Sequence, residues 1–398
     1  MNNQPELLSP AGSYDALVAA LRFGADAVYV GGELLQLRAA YSAFPPEKLA
    51  EAIALVHARE KKIYIAVNAL ATNADIDALP DYARFLSDAG ADAVIVSDLG
   101  VLATVKRVAP QLAVHISTQA SCMNFAAARQ YHDLGAERIV LAREMRLEEI
   151  AALRAKTPAT LELEAFVHGA MCMAHSGRCI ISSALLGRSG NRGDCAQPCR
   201  WNYHLVEEKR PGEFFPIEEA GGRTAILSSM DLCCIEHLPE LFRAGISSFK
   251  IEGRMKTEFY VAIVTGAYRR AMDGSAPLAL CRAELDTVSH RPYTTGFLMG
   301  ELPEKHANSG AYLRNYAYVG KVLGWGDGRL TVEQRGKFVL GDVLEIVSPQ
   351  RMGAPLPVTA ICNEAGEPQE SAPHAKQIVH LPCDIPLEQG DMLRLKKS

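Results

Sequence analysis

One short pattern of polar and apolar positions recurs along the first 250 residues of the chain. In each copy a helical stretch ends at a glycine, and a run of apolar, strand-forming residues follows at once. The copies are "FGADAVYV" (23–30), "AGADAVIV" (89–96), "LGAERIVL" (134–141) and "AGISSFKI" (244–251). Their glycines are predicted to close helices in the left-handed conformation. The apolar runs are typical of parallel strands that are covered on both faces.

Further strands and helices are predicted between these copies. The additional strands are residues 6–10, 62–67, 113–117, 161–167 and 225–229, and the clearest helices are residues 14–23, 81–89 and 126–134. Strand and helix alternate eight or nine times over roughly 250 residues, which favours an α/β fold of the (β/α)8, TIM-like barrel type. A doubly wound open sheet is the alternative, and the lack of a G-x-G-x-x-G motif after the first strand weakens it.

The pattern changes near residue 275. Residues 275–314 show little periodicity and many turn formers, and they are predicted to be a connecting segment that packs on the barrel. From Tyr318 onwards, short strand-like runs alternate with Gly-Asp and Asp-Gly pairs, which predicts a small all-β barrel domain over residues 315–398. The catalytic barrel domain is therefore predicted over residues 1–274, with a cysteine-rich insertion at residues 170–234.

Composition and charge restrict the class of protein. The chain has 398 residues, of which 48% are hydrophobic and 22% are charged, as in ordinary soluble proteins. The net charge of −5 means that any nucleic-acid contact must come from a local basic patch. The N-terminal sequence lacks the pattern of a secretory signal, and no apolar run approaches the ~18 residues of a membrane span. The protein is therefore expected to be cytoplasmic.

Six of the ten cysteines lie between residues 172 and 234, with the spacing C-x6-C-x15-C-x3-C-x33-C-C. In a reducing compartment such a cluster is more often metal-binding or catalytic than disulfide-bonded. An iron–sulfur cluster is the first interpretation, because it takes four thiolates. Structural zinc is weaker, because only Cys195 and Cys199 form a tight pair. A cysteine nucleophile with His168 or His175 as its base, or plain buried cysteines, are the other interpretations.

Polar residues stand where the predicted barrel strands end, which is the catalytic side of a β/α barrel. Some of the serines and aspartates there could simply cap the following helix. The strand-end residues are Asn68, Ser97, Asp98, Ser117, Gln119, Arg143, Glu144, His168, Ser229, Lys250 and Glu252. From this region we take His168, Glu164, Lys250 and Glu252 as catalytic candidates, and Asn68 and Gln119 as substrate-binding candidates.

Four segments resemble the collagenase-like peptidase family over most of residues 5–300. They are "EAFVHGAMCMAHSGRCIISSALLGRSGNRGDCAQPCRW", "SSMDLCCIEHLPEL", "FKIEGRMKTEFYVA" and "VSHRPYTTGF". The resemblance implies an RNA hydroxylase, because bacterial members of this kind make 5-hydroxyuridine at the wobble position of tRNA using prephenate. Others hydroxylate ribosomal RNA or a ubiquinone precursor, and the ubiquinone members carry a 4Fe-4S cluster.

The same resemblance implies a ligand set for a 4Fe-4S cluster. The matching positions are Cys172, Cys179, Cys195 and Cys233, with Cys199 as the alternate fourth ligand. His175 stands where relatives often have tyrosine, so no role is assigned to it. Two other functions stay open: a peptidase, although the chain has neither H-E-x-x-H nor G-x-S-x-G, and an RNA-binding factor whose cluster is only structural.

Basic residues concentrate around the cysteines, where Arg178, Arg192 and Arg200 are candidates for contacting the phosphates of RNA. An ordinary solvated loop is the alternative. In "FKIEGRMK", Lys250 and Arg254 could bind the carboxylates of a small diacid such as prephenate, because arginine pairs with carboxylates through two hydrogen bonds. An internal ion pair with Glu252 is the equal alternative. The remaining pocket candidates are His290, Arg291 and Tyr293.

Overall fold

The computed structural model describes residues 4–37, 44–171, 186, 188, 196, 219–220, 223–224, 230–300 and 312–397. The chain divides into two compact units. The first takes in residues 1–21, 25–256 and 290–312, and the second takes in residues 22–24, 257–289 and 313–398. The sequence predicted boundaries at residues 274 and 314, whereas by compactness residues 257–289 group with the C-terminal strands.

The first unit is built from short strands that alternate with helices. Its strands are β1 (Glu6–Pro10), β2 (Ala27–Gly31), β3 (Lys62–Val67), β4 (Ala93–Val96), β5 (Ala113–Ile116), β6 (Arg138–Val140), β7 (Glu162–Ala170), β8 (Glu219–Ala220), β9 (Arg223–Thr224), β10 (Asp231–Cys233), β11 (Ser248–Ile251) and β12 (Tyr293–Thr294). The helices are α1 (Tyr14–Arg22), α2 (Pro46–His57), α3 (Asn73–Asp88), α4 (Leu99–Val108), α5 (Phe125–Asp133), α6 (Leu147–Arg154) and α7 (Leu238–Arg243).

Eight of these strands close a parallel barrel. Strands β1 to β7 pair in chain order, β11 pairs with β7, and β11 also pairs with β1, which completes the ring. This confirms the (β/α)8 prediction. Beyond the ring, β10 pairs with the end of β7 in the antiparallel sense, and β12 pairs with β10. The predicted strand at residues 225–229 lies outside the described residues.

The helix ends follow from local chemistry. The four predicted helix-closing glycines have φ values of +97°, +85°, +96° and +96° at Gly24, Gly90, Gly135 and Gly245, which confirms the repeated pattern. At the other end of α3, Thr72 and Asp75 form a capping box, each side chain accepting from the other's backbone N–H. Across the described part of the chain, no helix is long and apolar enough to cross a membrane.

The second unit carries the C-terminal strands. They are β13 (Tyr316–Gly326), β14 (Arg329–Gln334), β15 (Phe338–Val339), β16 (Val343–Val347), β17 (Met352–Pro357), β18 (Cys362–Asn363), β19 (Ser371–Ala372), β20 (Ile378–Pro382) and β21 (Met392–Lys396). Two helices, α8 (Glu258–Asp273) and α9 (Leu278–Leu285), belong to the same unit. Seven strands pair in the order β17-β16-β21-β13-β14-β20-β18, and all of these pairs are antiparallel. The prediction of a separate all-β domain is confirmed.

Candidate functional site

A cavity of about 340 Å³ opens in the first unit, at the carboxyl ends of the barrel strands. This is the end where β/α barrels hold their substrates. The polar strand-end residues converge there because parallel strands of one barrel all end on the same side. Five of the predicted site residues line the cavity, namely Asn68, Gln119, Lys250, Glu252 and Arg254.

The charge of the cavity lining is strongly positive. Among the described residues, its cationic side chains are Arg143, Lys250, Arg254 and Lys256, and its one carboxylate is Glu252. The aromatic rings of Tyr29, Phe166 and Tyr312 and the thioether of Met171 add apolar surface. A cavity with several convergent cations and some apolar wall suits a small anionic ligand that carries a ring or an alkyl group.

Arg254 is held in place by a short chain of contacts. Its Nη1 donates a hydrogen bond of 2.9 Å to Oε1 of Gln36, and Gln36 in turn donates 2.8 Å to the carbonyl oxygen of Gly32. Gly31 makes this approach possible, since a Cβ atom there would overlap both Gln36 Oε1 and Arg254 Nη1. The guanidinium is therefore presented in a defined orientation while 7% of the residue stays exposed.

Arg143 is oriented by two contacts with β7. Its guanidinium lies over the ring of Phe166 at 4.1 Å from the ring centre, and its Nη1 donates 2.7 Å to the carbonyl oxygen of Ala170. Stacking on an aromatic face and a backbone hydrogen bond both restrict the side chain without neutralising its charge. The remaining N–H groups of Arg143 supply further donors for a ligand.

Beneath the cavity, Lys250 joins a buried network of ion pairs. Its Nζ lies 2.7 Å from Oε1 of Glu164, a residue with no exposed surface, and Oε2 of Glu164 lies 3.0 Å from Nη1 of Arg138. Burial lowers the pKa of Lys250, although the charge of Glu164 opposes the shift. For Arg138 burial also acts to lower the pKa, but the charges of Glu6 and Glu164 outweigh it and raise the pKa well above its ordinary value.

Glu6 anchors the lower end of this network. Its carboxylate lies 2.6 Å from Nη1 of Arg138 and accepts hydrogen bonds from the hydroxyls of Tyr64 (2.6 Å) and Ser248 (2.9 Å). Burial raises the pKa of Glu6, but Arg138 and the two hydroxyls lower it by more, so the pKa ends below its ordinary value. The charges of the barrel interior are thus matched by neighbours of opposite sign.

Tyr29 links the cavity wall to Glu252. Its hydroxyl donates to the carbonyl oxygen of Ile251 at 2.9 Å and lies 3.2 Å from Oε2 of Glu252. Burial, followed by the charge of Glu252, raises the pKa of Tyr29 well above its ordinary value, so the hydroxyl stays protonated. The single hydroxyl hydrogen is thus shared between the Ile251 carbonyl oxygen and the carboxylate of Glu252, which lines the cavity.

Four other predicted residues, His168, His290, Arg291 and Tyr293, lie in a separate cluster beside β10 and β12. The ring centre of His168 is 5.4 Å from that of Tyr293, and Tyr293 stacks on His290 at 4.2 Å. Arg291 places Nε and Nη2 at 2.9 and 2.8 Å from Oδ1 of Asp231. None of these predicted residues lines the cavity among the residues that the structure describes.

Two strand-end residues serve as caps, as the sequence allowed. The carboxylate of Asp98 accepts from the backbone N–H groups of Gly100 and Val101 at the start of α4. The hydroxyl of Ser117 accepts from the N–H of Gln119, and it also receives a hydrogen bond from the Asn68 amide. Capping thus fixes the loop that presents Gln119 to the cavity.

The cysteine cluster falls largely outside the described residues. Cys172, Cys179, Cys195 and Cys199 lie there, as do Arg178, Arg192 and Arg200. Within the described ranges, no group of three metal-binding side chains converges. Cys233 is described: it is buried at the end of β10, opposite His168 in the ladder with β7. Burial raises the pKa of the adjacent Cys234 well above its ordinary value.

The position of Cys233 is compatible with an iron–sulfur ligand. Its ladder partner His168 stands four residues before Cys172, and Met171, immediately before Cys172, lines the cavity. A buried thiol at the cavity end of the barrel has the chemistry that such a cluster requires. Of the proposed ligands it is the one that the structure describes.

Sequence reasoning missed three residues that shape the site. Arg138 pairs with both Glu6 and Glu164 in the buried network. Gln36 accepts a hydrogen bond from Arg254, and the hydroxyl of Tyr29 contacts Glu252. A signal existed for Arg138, because a charge at the start of a short, buried and otherwise apolar strand needs a buried partner. Gln36 and Tyr29 carried no such signal, since their partners are 218 and 223 residues away along the chain.

Two family models and several curated proteins match this chain. The model of peptidase family U32 matches residues 12–308, and that of the peptidase family U32 C-terminal domain matches residues 314–394. The chain is 35% identical to tRNA hydroxylation protein P1 of Bacillus subtilis, over 100% of this chain and 96% of that protein. It is 34% identical to tRNA hydroxylation protein P of Escherichia coli, over 99% and 97%.

A third relative is named for ribosomal RNA, whereas the first two are named for tRNA. The chain is 39% identical to the 23S rRNA 5-hydroxycytidine C2501 synthase of Escherichia coli, over 67% of this chain and 39% of that protein.

Proposed function

The chain belongs to peptidase family U32, and we propose that it is a tRNA-modifying enzyme that hydroxylates the wobble uridine to 5-hydroxyuridine. The observation that carries the proposal is full-length similarity, at 34–35% identity, to two proteins named for tRNA hydroxylation. The partner is the anticodon region of tRNA, where an unpaired base can leave its stack to reach a buried site.

Prephenate is the proposed co-substrate and hydroxyl donor. In a balanced exchange the C–O bond of the donor breaks, the C5–O bond of uridine forms, and the proton and two electrons lost from C5 pass to the donor. The cationic cavity supports this assignment, because Arg143, Arg254 and Lys256 offer donors for two carboxylates. Lys250 and Glu252 are the proposed catalytic groups at its floor and wall, and Asn68 and Gln119 the proposed polar contacts.

A 4Fe-4S cluster is the proposed cofactor, and it would supply electron transfer or activation of the donor. Its proposed ligands are Cys172, Cys179, Cys195 and Cys233, with Cys199 as the alternate fourth. The burial of Cys233 at the cavity end of the barrel supports this choice. Anaerobic purification with iron and sulfide assays tests it, and a colourless, iron-free protein that still hydroxylates tRNA contradicts it.

The experiment that tests the function is nucleoside mass spectrometry of tRNA and ribosomal RNA from a deletion strain. We expect 5-hydroxyuridine to disappear from tRNA, to return with the wild-type chain, and to stay absent with Cys172→Ala. Unchanged tRNA nucleosides in the deletion strain would rule the function out. Loss of 5-hydroxycytidine from ribosomal RNA would instead favour the second candidate, an rRNA hydroxylase, which the similarity to the C2501 synthase supports.

Arg254→Lys tests the carboxylate-binding role within this proposal. Lysine keeps the charge but loses the planar fork that Gln36 orients. We expect KM for prephenate to rise by roughly 10- to 100-fold, the equivalent of about 1.5–3 kcal/mol for a charge-assisted hydrogen bond, while KM for tRNA stays unchanged. Arg84→Lys, on the exposed face of α3, is the matched control. An equal rise of both KM values would contradict this role.

A further inference from the structure

Lys250 is an amine placed where charged amines are rarely found. It lines the cavity, yet its side chain is only 4% exposed, because it rises from β11 between aromatic rings. Its Nζ lies 4.5 Å from the ring centre of Tyr29 and 5.5 Å from that of Phe166. Lysine is almost never fully buried without a specific partner. A buried lysine that faces a ligand cavity is the setting in which a lysine acts as a nucleophile toward carbonyl groups.

Behind the amine stands a group that can take its proton. Oε1 of Glu164 lies 2.7 Å from Nζ, and Glu164 does not line the cavity. The carboxylate therefore contacts Lys250 from the protein side and leaves the cavity side open to a ligand. Burial also lowers the pKa of Lys250, which increases the share of free amine near neutral pH.

The surrounding charges suit a ligand with a carboxylate next to its carbonyl. Arg143 and Arg254 both line the cavity with guanidinium groups, and Lys256 adds a third cation held over the ring of Tyr312. A carboxylate bound by one of these groups would hold an adjacent ketone over the floor, where the Lys250 amine lies. The ligand class that combines both features is an α-keto carboxylate.

The geometry points to Lys250 as the residue that forms an imine with the keto group of an α-keto carboxylate bound in this cavity. The inference deepens the proposed function and rests on it for the identity of the ligand, since prephenate carries such a keto group. The covalent bond would hold the co-substrate in one orientation while its ring faces the RNA. Lys250 thereby has a covalent role, beyond electrostatic attraction of a carboxylate.

The step is balanced without any oxidant or reductant. The ammonium of Lys250 gives a proton to Glu164, and the free amine adds to the keto carbon to form a carbinolamine. The carbinolamine takes the proton back, loses water, and leaves a protonated imine. The positive charge that faced Glu164 is therefore retained, so the ion pairs of Glu164 and Arg138 keep their charge balance.

Borohydride trapping of the full-length protein tests the inference. The chain is incubated with phenylpyruvate or prephenate, reduced, digested with a protease that does not cleave at lysine, and mapped by mass spectrometry. We expect one adduct, on Lys250, with the mass of the keto acid less one oxygen atom. Phenyllactate replaces the ketone by an alcohol and is the matched ligand control, for which no adduct is expected.

Two variants locate the reaction. Lys250→Arg keeps a cation against Glu164 but cannot form an imine. The amount of keto-acid adduct on this variant should therefore be no larger than the amount found with phenyllactate. Lys106→Arg removes a partly exposed lysine paired with Glu137 and should leave the adduct unchanged. The Lys250 adduct should also form at lower pH than any adduct on exposed lysines. No adduct, or equal labelling of many lysines, would overturn the inference.

The outcomes separate this inference from the proposed function. If Lys250→Arg folds and hydroxylates tRNA at the wild-type rate, the imine is wrong and the hydroxylase function stands. If Lys250 is trapped but neither cells nor purified protein modify tRNA, the imine stands and the function is wrong. Circular dichroism of the variant establishes whether the fold is retained.

Discussion

The interiors of the two compact units differ in where they place their buried charges. The core of the C-terminal unit is a cluster of apolar side chains such as Val332, Leu344 and Leu393, each with no exposed surface. The barrel also has apolar layers, but Glu164, Arg138 and Lys250 are buried in its interior together. The C-terminal unit buries charge as well, at Arg394 beside Glu284 and Glu345, but its strands enclose a hydrocarbon cluster, whereas the barrel holds matched charges directly beneath a cavity.

Apolar burial and buried ion pairs contribute differently to stability and to geometry. Apolar burial stabilises a fold at roughly 25 cal/mol per Å² and asks only for the right volume. Buried ion pairs contribute little net stability, because desolvation offsets their attraction. Removing one partner is nevertheless strongly destabilising, because it leaves the other charge buried and unpaired. The buried ion pairs of the barrel therefore fix Lys250, Glu164 and Arg138 in one mutual geometry.

The largest expected effect comes from removing the central cation of the barrel. Arg138→Met leaves Glu6 without its charged partner and Glu164 with one partner instead of two. We expect the free energy of unfolding to fall by about 3–5 kcal/mol, measured by urea denaturation. Glu162→Gln removes a half-exposed partner of the same arginine and should cost less than about 1 kcal/mol. Equal effects of the two changes would contradict the comparison.

The apolar core should respond to lost volume instead of lost charge. Leu393→Ala removes buried methyl groups from the C-terminal cluster, and we expect a loss of about 3 kcal/mol in the free energy of unfolding. The same substitution at Leu340, which is 48% exposed, is the control and should cost less than about 0.5 kcal/mol. A small effect at Leu393 would show that this core tolerates cavities.

Acid should affect the barrel through Glu6. Its pKa is lowered in the folded chain, so its stabilising contribution is present above the ordinary value of 4.5 and is lost as pH falls through the lower folded value. We expect the wild type to lose at most about 1.4 kcal/mol per pH unit more than Glu6→Gln in that window. Urea midpoints measured from about pH 6 to about pH 3 check this, and parallel pH profiles would contradict it.

The smallest expected effect is at an exposed ion pair of the barrel unit. Arg84 lies 2.7 Å from Asp81 on α3, and both side chains are more than half exposed. Arg84→Ala should change the free energy of unfolding by less than about 0.5 kcal/mol, because solvent screens the attraction. A loss above about 1 kcal/mol would mean that surface charges stabilise the barrel as buried charges do.

Much of the fold was predictable from local patterns. The strands at residues 6–10 and 62–67 were predicted with their observed bounds, and the four helix-closing glycines have the expected φ values. These features depend on residues that are neighbours in the chain, so a one-dimensional pattern contains them. The site was predictable only in part: Lys250, Glu252 and Arg254 line the cavity, whereas His168 and Tyr293 lie in a separate cluster.

By itself the sequence determined the alternation of strands and helices in the barrel, the all-β C-terminal domain and the family, because each depends on periodicity or on a continuous motif. Only the tertiary structure decided the partner of Lys250. The sequence suggested Glu252, two residues away, but a local pattern does not specify which side chain of a neighbouring strand comes into contact with Lys250. Closure between β7 and β11 places Glu164 at 2.7 Å from Lys250, although 86 residues separate them. A contact of that separation exists only once the ring of strands has closed.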